Sequence, residues 1–172
     1  MIAHKKDHFT RDDILKCGTG EFDGVEYPRL PLANMLMLDC ITKISENGGK
    51  YGRGEVDGEF SVNPDTWFFA CHFKDDPVMP GSLALDALCQ LLGFYLGWKG
   101  YKGKGRALGI GEVKYKGEIL PTSGKLRYHL DIRKIVNKSS IAMAIADGEV
   151  FVQGHIVLTT KSMRVGIIPC PT

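Results

Sequence analysis

Residues 83–98 (LALDALCQLLGFYLGW) are apolar on nearly every side of a helix. Such a helix must be buried on nearly all sides. In a chain of 172 residues with one segment of this kind, the remainder has to wrap around it. Pro80 in front, and Gly97 and Gly100 behind, place its bounds near Gly81-Ser82 and near Gly97 or Gly100. Asp86 and Gln90 interrupt the stretch, which is too short and too polar for a membrane span.

What surrounds the helix reads as strands. Residues 34–45 (NMLMLDCITKIS) and 51–62 flank a Gly48-Gly49 turn. Leu126, Tyr128, Leu130 and Ile132 alternate with Arg127, His129, Asp131 and Arg133, the period of a half-buried strand. Ile141, Met143 and Ile145 repeat that period. Asp147-Gly148 reads as a hairpin turn before residues 149–153, and residues 155–165 alternate again. Residues 103–106 (GKGR) read as a turn-rich connection, and the basic run 99–106 as a solvated loop. Near the N-terminus Thr10 reads as a helix N-cap, with Asp12 and Asp13 at the positive end and Phe9 stapling onto Ile14. That short helix is expected to stop at about Cys17, ended by Gly18, with loop over residues 18–31. The sum is an α+β design with about six mostly hairpin-connected strands, a strongly curved antiparallel sheet around one long helix. No repeat or linker divides it, so one domain is expected over 1–172, opened by a short helix and loop (1–33).

Composition removes several classes. A net charge of +2 gives no reason to expect nucleic acid. The five cysteines are scattered and form no C-x-x-C pair, and the N-terminus carries no apolar signal region. A cytoplasmic protein with reduced thiols is expected.

The helix also carries chemistry. Ser82, Asp86 and Gln90 are spaced i, i+4, i+8 and share a face, which Gly93 and Gly97 continue. A polar stripe on a buried helix implies a cavity or channel beside it. Burying a carboxylate alone is costly. A carboxyl in such surroundings and a histidine, His72, in the preceding apolar loop (WFFACHFKDDPVMPG) form a candidate acid/base pair. Gln90, one turn after Asp86, can orient the carboxyl. The Gly81 N–H at the helix N-terminus can polarise a carbonyl oxygen. Plainer readings stay open on the residues alone. Asp86 and Gln90 can simply satisfy buried groups. Gly93 and Gly97 read more naturally as allowing close helix–sheet packing, and Met79-Pro80-Gly81 as a helix entry. His72 with Asp75 and Asp76 lacks a recognised metal-ligand spacing. Residues 103–109 lack the spacing of a dinucleotide loop, and no G-x-S-x-G elbow or P-loop occurs.

Four stretches resemble one family: LANMLMLDCI, NPDTWFFACHFKDDPVMPGSLALDALCQLLGFYLGW, GKGRALGIGEVKYKGEILPT and KIVNKSSIAMAIADGEVFVQG. It is the bacterial 3-hydroxydecanoyl-acyl-carrier-protein dehydratase/isomerase family, and the resemblance covers roughly residues 9–166. It implies a hot-dog fold, a homodimer with active sites at the interface, and fatty acid biosynthesis with lyase and isomerase chemistry. It requires no metal or organic cofactor. His72 is then the catalytic histidine and Asp86 the catalytic carboxylate, the two coming from different subunits. The Val78 carbonyl fixes the His72 ring, and the Gly81 N–H meets the thioester carbonyl. The partner is an acidic acyl carrier protein, for which Arg133, Lys134, Lys138, Lys161 and Arg164 are basic candidates, an ordinary solvated surface being the alternative. Asp86 matches this family rather than the shorter hydroxyacyl dehydratases, which carry glutamate there. Two positions depart from it: Ser82, where many relatives have cysteine, and Cys89, where relatives have tryptophan. A hot-dog thioesterase and a non-catalytic acyl-binding dimer are the rival readings.

Overall fold

The computed structural model describes residues 5–22, 28–138 and 141–169. His4, Cys170, part of the loop expected over residues 18–31 and the side chain of Lys138 lie outside that description.

The first helix, α1 (Arg11–Thr19), starts as expected. Thr10 N–H donates to Asp13 Oδ2 at 2.8 Å, and Asp13 N–H donates to Thr10 Oγ1 at 3.4 Å. It runs past the expected stop. Gly18 lies buried inside it, where a Cβ would collide with Leu32. The left-handed cap falls to Gly20, at φ 83°, whose N–H donates to Lys16 O at 2.9 Å.

Two strands follow, β1 (Cys40–Ser45) and β2 (Glu55–Ser61), then the long helix α2 (Gly81–Trp98). The chain continues through β3 (Lys104–Gly109), β4 (Glu112–Tyr115), β5 (Lys125–Lys138), β6 (Ile141–Val152) and β7 (His155–Ile168). These strands make one seven-stranded sheet in the order β1-β2-β5-β6-β7-β3, with β4 also on β7, and every pairing is antiparallel. The sheet packs on α2, which is buried from Ala87 to Trp98 except for half-buried Cys89. Gly148 marks a close approach: a Cβ there would lie 3.0 Å from Leu88 Cδ1. The segment before α1 closes the far end. Phe9 exchanges two backbone hydrogen bonds with Ile41 of β1, at 2.8 and 2.9 Å, and Trp98 Nε1–H donates to Lys6 O at 2.7 Å. This is the α+β arrangement expected from the single all-round apolar helix, and it is the hot-dog fold that the family resemblance implied.

Four strand expectations need correction. The strand expected over residues 51–62 begins only at Glu55, and residues 51–54 belong to the turn before it. The stretch 34–45 is a strand only from Cys40; Ala33–Met35 form a 3₁₀ turn, and Leu36, Met37 and Leu38 are buried without joining the sheet. Within GKGR, Lys104, Gly105 and Arg106 are not loop but the start of β3. This strand pairs only with β7 among the described residues, and a one-sided edge strand needs no apolar alternation. Asp147-Gly148 is not a hairpin turn but an irregularity inside β6; the turn lies at Gln153-Gly154, with φ of 48° and 83°.

The register breaks of β5 at Ile132/Lys134 and of β6 at Ala146/Gly148 sit side by side. A polar knot joins them. Arg133 Nη1–H donates to Ser162 Oγ at 2.8 Å and to Asp147 Oδ1 at 3.4 Å. Ser162 N–H donates to the same Oδ1 at 2.9 Å, and Tyr51 O–H to Oδ2 at 2.6 Å. Bulges increase local bend and twist, so this knot accompanies the curvature that lets the sheet wrap α2.

Candidate active site

His72 is half-buried at the end of a 3₁₀ turn (Trp67–Ala70) and is held from both its backbone and its ring. Its N–H donates to Phe68 O at 2.9 Å, and its carbonyl accepts from Val78 N at 2.8 Å. Its Nδ1 lies 2.9 Å from Val78 O. A carbonyl only accepts, so Nδ1 carries a proton, and in the neutral ring the lone pair is then on Nε2. The ring also stacks on exposed Phe73, centroids 3.9 Å apart. The expected role of Val78 in orienting this ring therefore has its geometry. A cavity of about 190 Å³ opens beside it, lined by His72, Val78, Gly81, Ala84, Tyr115 and Ile119 among others. As the first residue of α2, Gly81 has an N–H without an intrahelical acceptor.

Tyr115 is the residue that sequence reasoning missed here. Its ring lies against Gly81, so that a Cβ on Gly81 would come within 2.5 Å of Tyr115 Cε1. It is 58% exposed, and only its position in space, not the KYKGE sequence around it, reveals the contact.

Asp86 is half-buried and not alone. Its Oδ2 accepts from Gln90 Nε2 at 2.7 Å. The same nitrogen donates to Met35 O at 2.8 Å, while Gln90 Oε1 accepts from Met37 N at 3.0 Å. Three partners thus fix the amide of a residue only 8% exposed. The segment that fails to join the sheet is the one that holds Gln90. Asp86, Cys89, Gln90 and Gly93 line a second cavity of about 150 Å³, which Ala107 and Val165 line as well. Arg29 and Arg106, both exposed, line it as well and were not singled out from the sequence. Ser82, on the same stripe, is exposed and outside it. Burial, reinforced by the nearby Asp86 charge, pushes the Cys89 thiol up to about 11, so it stays protonated.

Among the described residues, the two cavities share no lining residue. At about 100° per helical residue, Asp86 lies about 140° around α2 from Gly81. One chain therefore presents His72 with Gly81 on one side of the helix and Asp86 with Gln90 on the other.

The basic candidates divide. Arg133 is tied into the polar knot, and its guanidinium also lies 5.2 Å from the Tyr51 ring centre. Lys161, though exposed, sits 3.4 Å from Glu112 Oε1. Lys134 and Arg164 are exposed. Among the described residues, the group with metal-ligand proximity is Glu55, Asp57 and His129, not His72 with Asp75 and Asp76. Cations already serve it: Lys43 Nζ is 2.6 Å from Glu55, and Arg127 Nη1 is 3.2 Å from Asp57.

The FabA-like domain matches residues 30–161. The chain belongs to the FabA-like domain family. Among solved structures it is similar to a chain of the dehydratase heterocomplex ApeI:P of Xenorhabdus doucetiae, at 18% identity and TM-score 0.59, over 80% of this chain and 86% of that one. An uncharacterised protein of Pyrococcus horikoshii matches at 12% identity and TM-score 0.56, over 79% and 86% of the two chains. A candidate thioesterase of Lactococcus lactis matches at 10% identity and TM-score 0.56, over 76% and 94%. At such identities these neighbours speak for the fold alone. Among the described residues of this FabA-like domain, no helix is long and apolar enough to cross a membrane.

Proposed function

We propose that this hot-dog dehydratase removes water from a (3R)-3-hydroxyacyl thioester carried on acyl carrier protein, of about the decanoyl length by resemblance. The trans-2-enoyl product is then isomerised to cis-3. The observation that carries the reading is the bond from His72 Nδ1 to Val78 O, which leaves Nε2 as the base in a cavity that also holds the Gly81 N–H.

Nε2 takes the C2 proton. The electron pair moves onto the thioester oxygen, where the Gly81 N–H stabilises it. As it returns to form the C2=C3 bond, the C3 hydroxyl leaves with a proton from Asp86, as water. Isomerisation moves a proton from C4 to C2 with the same pair. The reading requires a homodimer, because His72 and Asp86 lie on opposite sides of α2 and each site must take one from each subunit. The open edge of β3, beside the Asp86 cavity and with Leu108 48% exposed, offers a seam for a second copy. Exposed Lys134 and Arg164, with Lys161 beside Glu112, are the described basic candidates to meet an acidic carrier, and Lys138 is kept as a candidate from the sequence.

The test is incubation with 3-hydroxydecanoyl carrier thioester and analysis of the products. Trans-2 and cis-3 enoyl thioesters are expected. Free thiol indicates a thioesterase, and unchanged thioester a binding protein. Trans-2 product alone restricts the chain to dehydration. His72→Ala, still folded and dimeric, is expected to lose about 10²–10⁴-fold in kcat; retained turnover removes His72 from the mechanism.

A further inference from the structure

We propose that Gly93 sets the length of acyl chain that the protein accepts. The proposal rests on reading the Asp86 cavity as the place where the acyl chain lies.

Glycine in the middle of a helix is a poor choice, since alanine is the best helix former and glycine among the worst. The usual reason for a buried one is a neighbour too close to admit a Cβ. That reason holds at Gly148, where Leu88, Leu130 and Thr160 would all meet a Cβ within 3.0 Å. It does not hold at Gly93. Among the described residues, a Cβ there would meet only Val165 Cγ1, at 3.9 Å, an ordinary contact. Helix stability favours alanine at this position and packing permits it. What glycine supplies is the unfilled space.

That space belongs to the Asp86 cavity. Gly93 is the last residue of α2 to line it, seven positions after Asp86 and so about 10 Å along the axis. Leu96 and Gly97, one turn further, are buried and do not reach it. The cavity, about 150 Å³, is on the order of one that holds benzene, so a single added side chain takes up a large part of it. Cys89 and Ala107 keep the flanking walls short. A chain that leaves the carboxylate and runs along α2 ends where a side chain at position 93 begins.

The experiment compares wild type, Gly93→Ala and Gly93→Leu on 3-hydroxyacyl N-acetylcysteamine thioesters of six, eight, ten and twelve carbons. Melting temperatures are recorded with saturated acyl thioesters of the same lengths. The ratio of kcat/KM for ten over six carbons is expected to fall about tenfold or more in Gly93→Leu and less in Gly93→Ala. The change should lie in KM, and ligand-free Gly93→Ala should melt at or above wild type. An unchanged ratio in both variants overturns the proposal. So does a lowered melting temperature in Gly93→Ala, which makes the glycine a packing residue. If wild type turns over no chain length, the enzymatic reading falls and the ligand-induced melting shifts decide. A length limit that Gly93→Leu shortens then still supports the proposal, and one that stays in place overturns it.

Discussion

Gln90 shows how little freedom a single buried amide keeps. Its oxygen faces an N–H, so its nitrogen must serve Met35 O and Asp86 Oδ2 together. Gln90→Glu keeps the shape and the bond from Met37 N–H but sets a carboxylate against two acceptors. It is expected to cost about 1–3 kcal/mol in urea denaturation, the range for a buried group left unsatisfied. In the proposed reaction it should lower kcat with little change in KM, because Gln90 acts through Asp86. A variant that keeps wild-type kcat shows that Gln90 does not position the carboxyl. The helical spacing was enough to pair Asp86 with Gln90 on paper. It was silent about Met35, Met37 and Tyr115, because backbone from a distant turn and a ring from another strand leave no periodic trace.

At the scale of strands, β2 and β5 are joined on the outer face by a charged row. His129 Nδ1 lies 3.0 Å from Asp57 Oδ1, and its Nε2 lies 3.4 Å from Asp131 Oδ1. Both nitrogens facing carboxylates suits the doubly protonated ring. The hydrogen bond that its ring donates to Asp57, chiefly, holds the His129 pKa above its ordinary value, against burial. Burial pushes Asp57 upward, but the His129 hydrogen bond, with the charges of His129, Arg127 and Lys43, leaves it lowered. Glu149 of β6 is the register partner of His129 and adds a further negative group to the row. A raised histidine stabilises the fold fully below about pH 6.5, and that support fades as pH rises through the folded value. A lowered aspartate helps above about pH 4 and fails as pH falls. The stability lost in His129→Gln should therefore be larger at pH 6 than at pH 9; an equal loss at both leaves no role for the charged ring. Strands like β5 were legible because burial imposes period two. β3 was not, since an edge strand that opens Lys-Gly-Arg satisfies one neighbour only among the described residues. The break in β6 was not, since Asp-Gly serves a hairpin and a bulge equally well and only the side-chain partners of Asp147 decide.

For the whole molecule, α2 is both core and scaffold. Its leucines hold the sheet, one side carries Gly81 toward His72, and the other carries Asp86 and Gln90 toward a separate cavity. The consequence is genetic as much as structural. In the proposed twofold dimer, a subunit carrying His72→Ala and one carrying Asp86→Asn spoil the same site together and leave the other whole. Two preparations that are each inactive should therefore complement. After denaturation and refolding of an equal mixture, about a quarter of wild-type turnover is expected, since half the dimers are mixed and each has one working site. Recovery that stays at the background of either parent would mean that His72 and Asp86 do not serve one another across subunits.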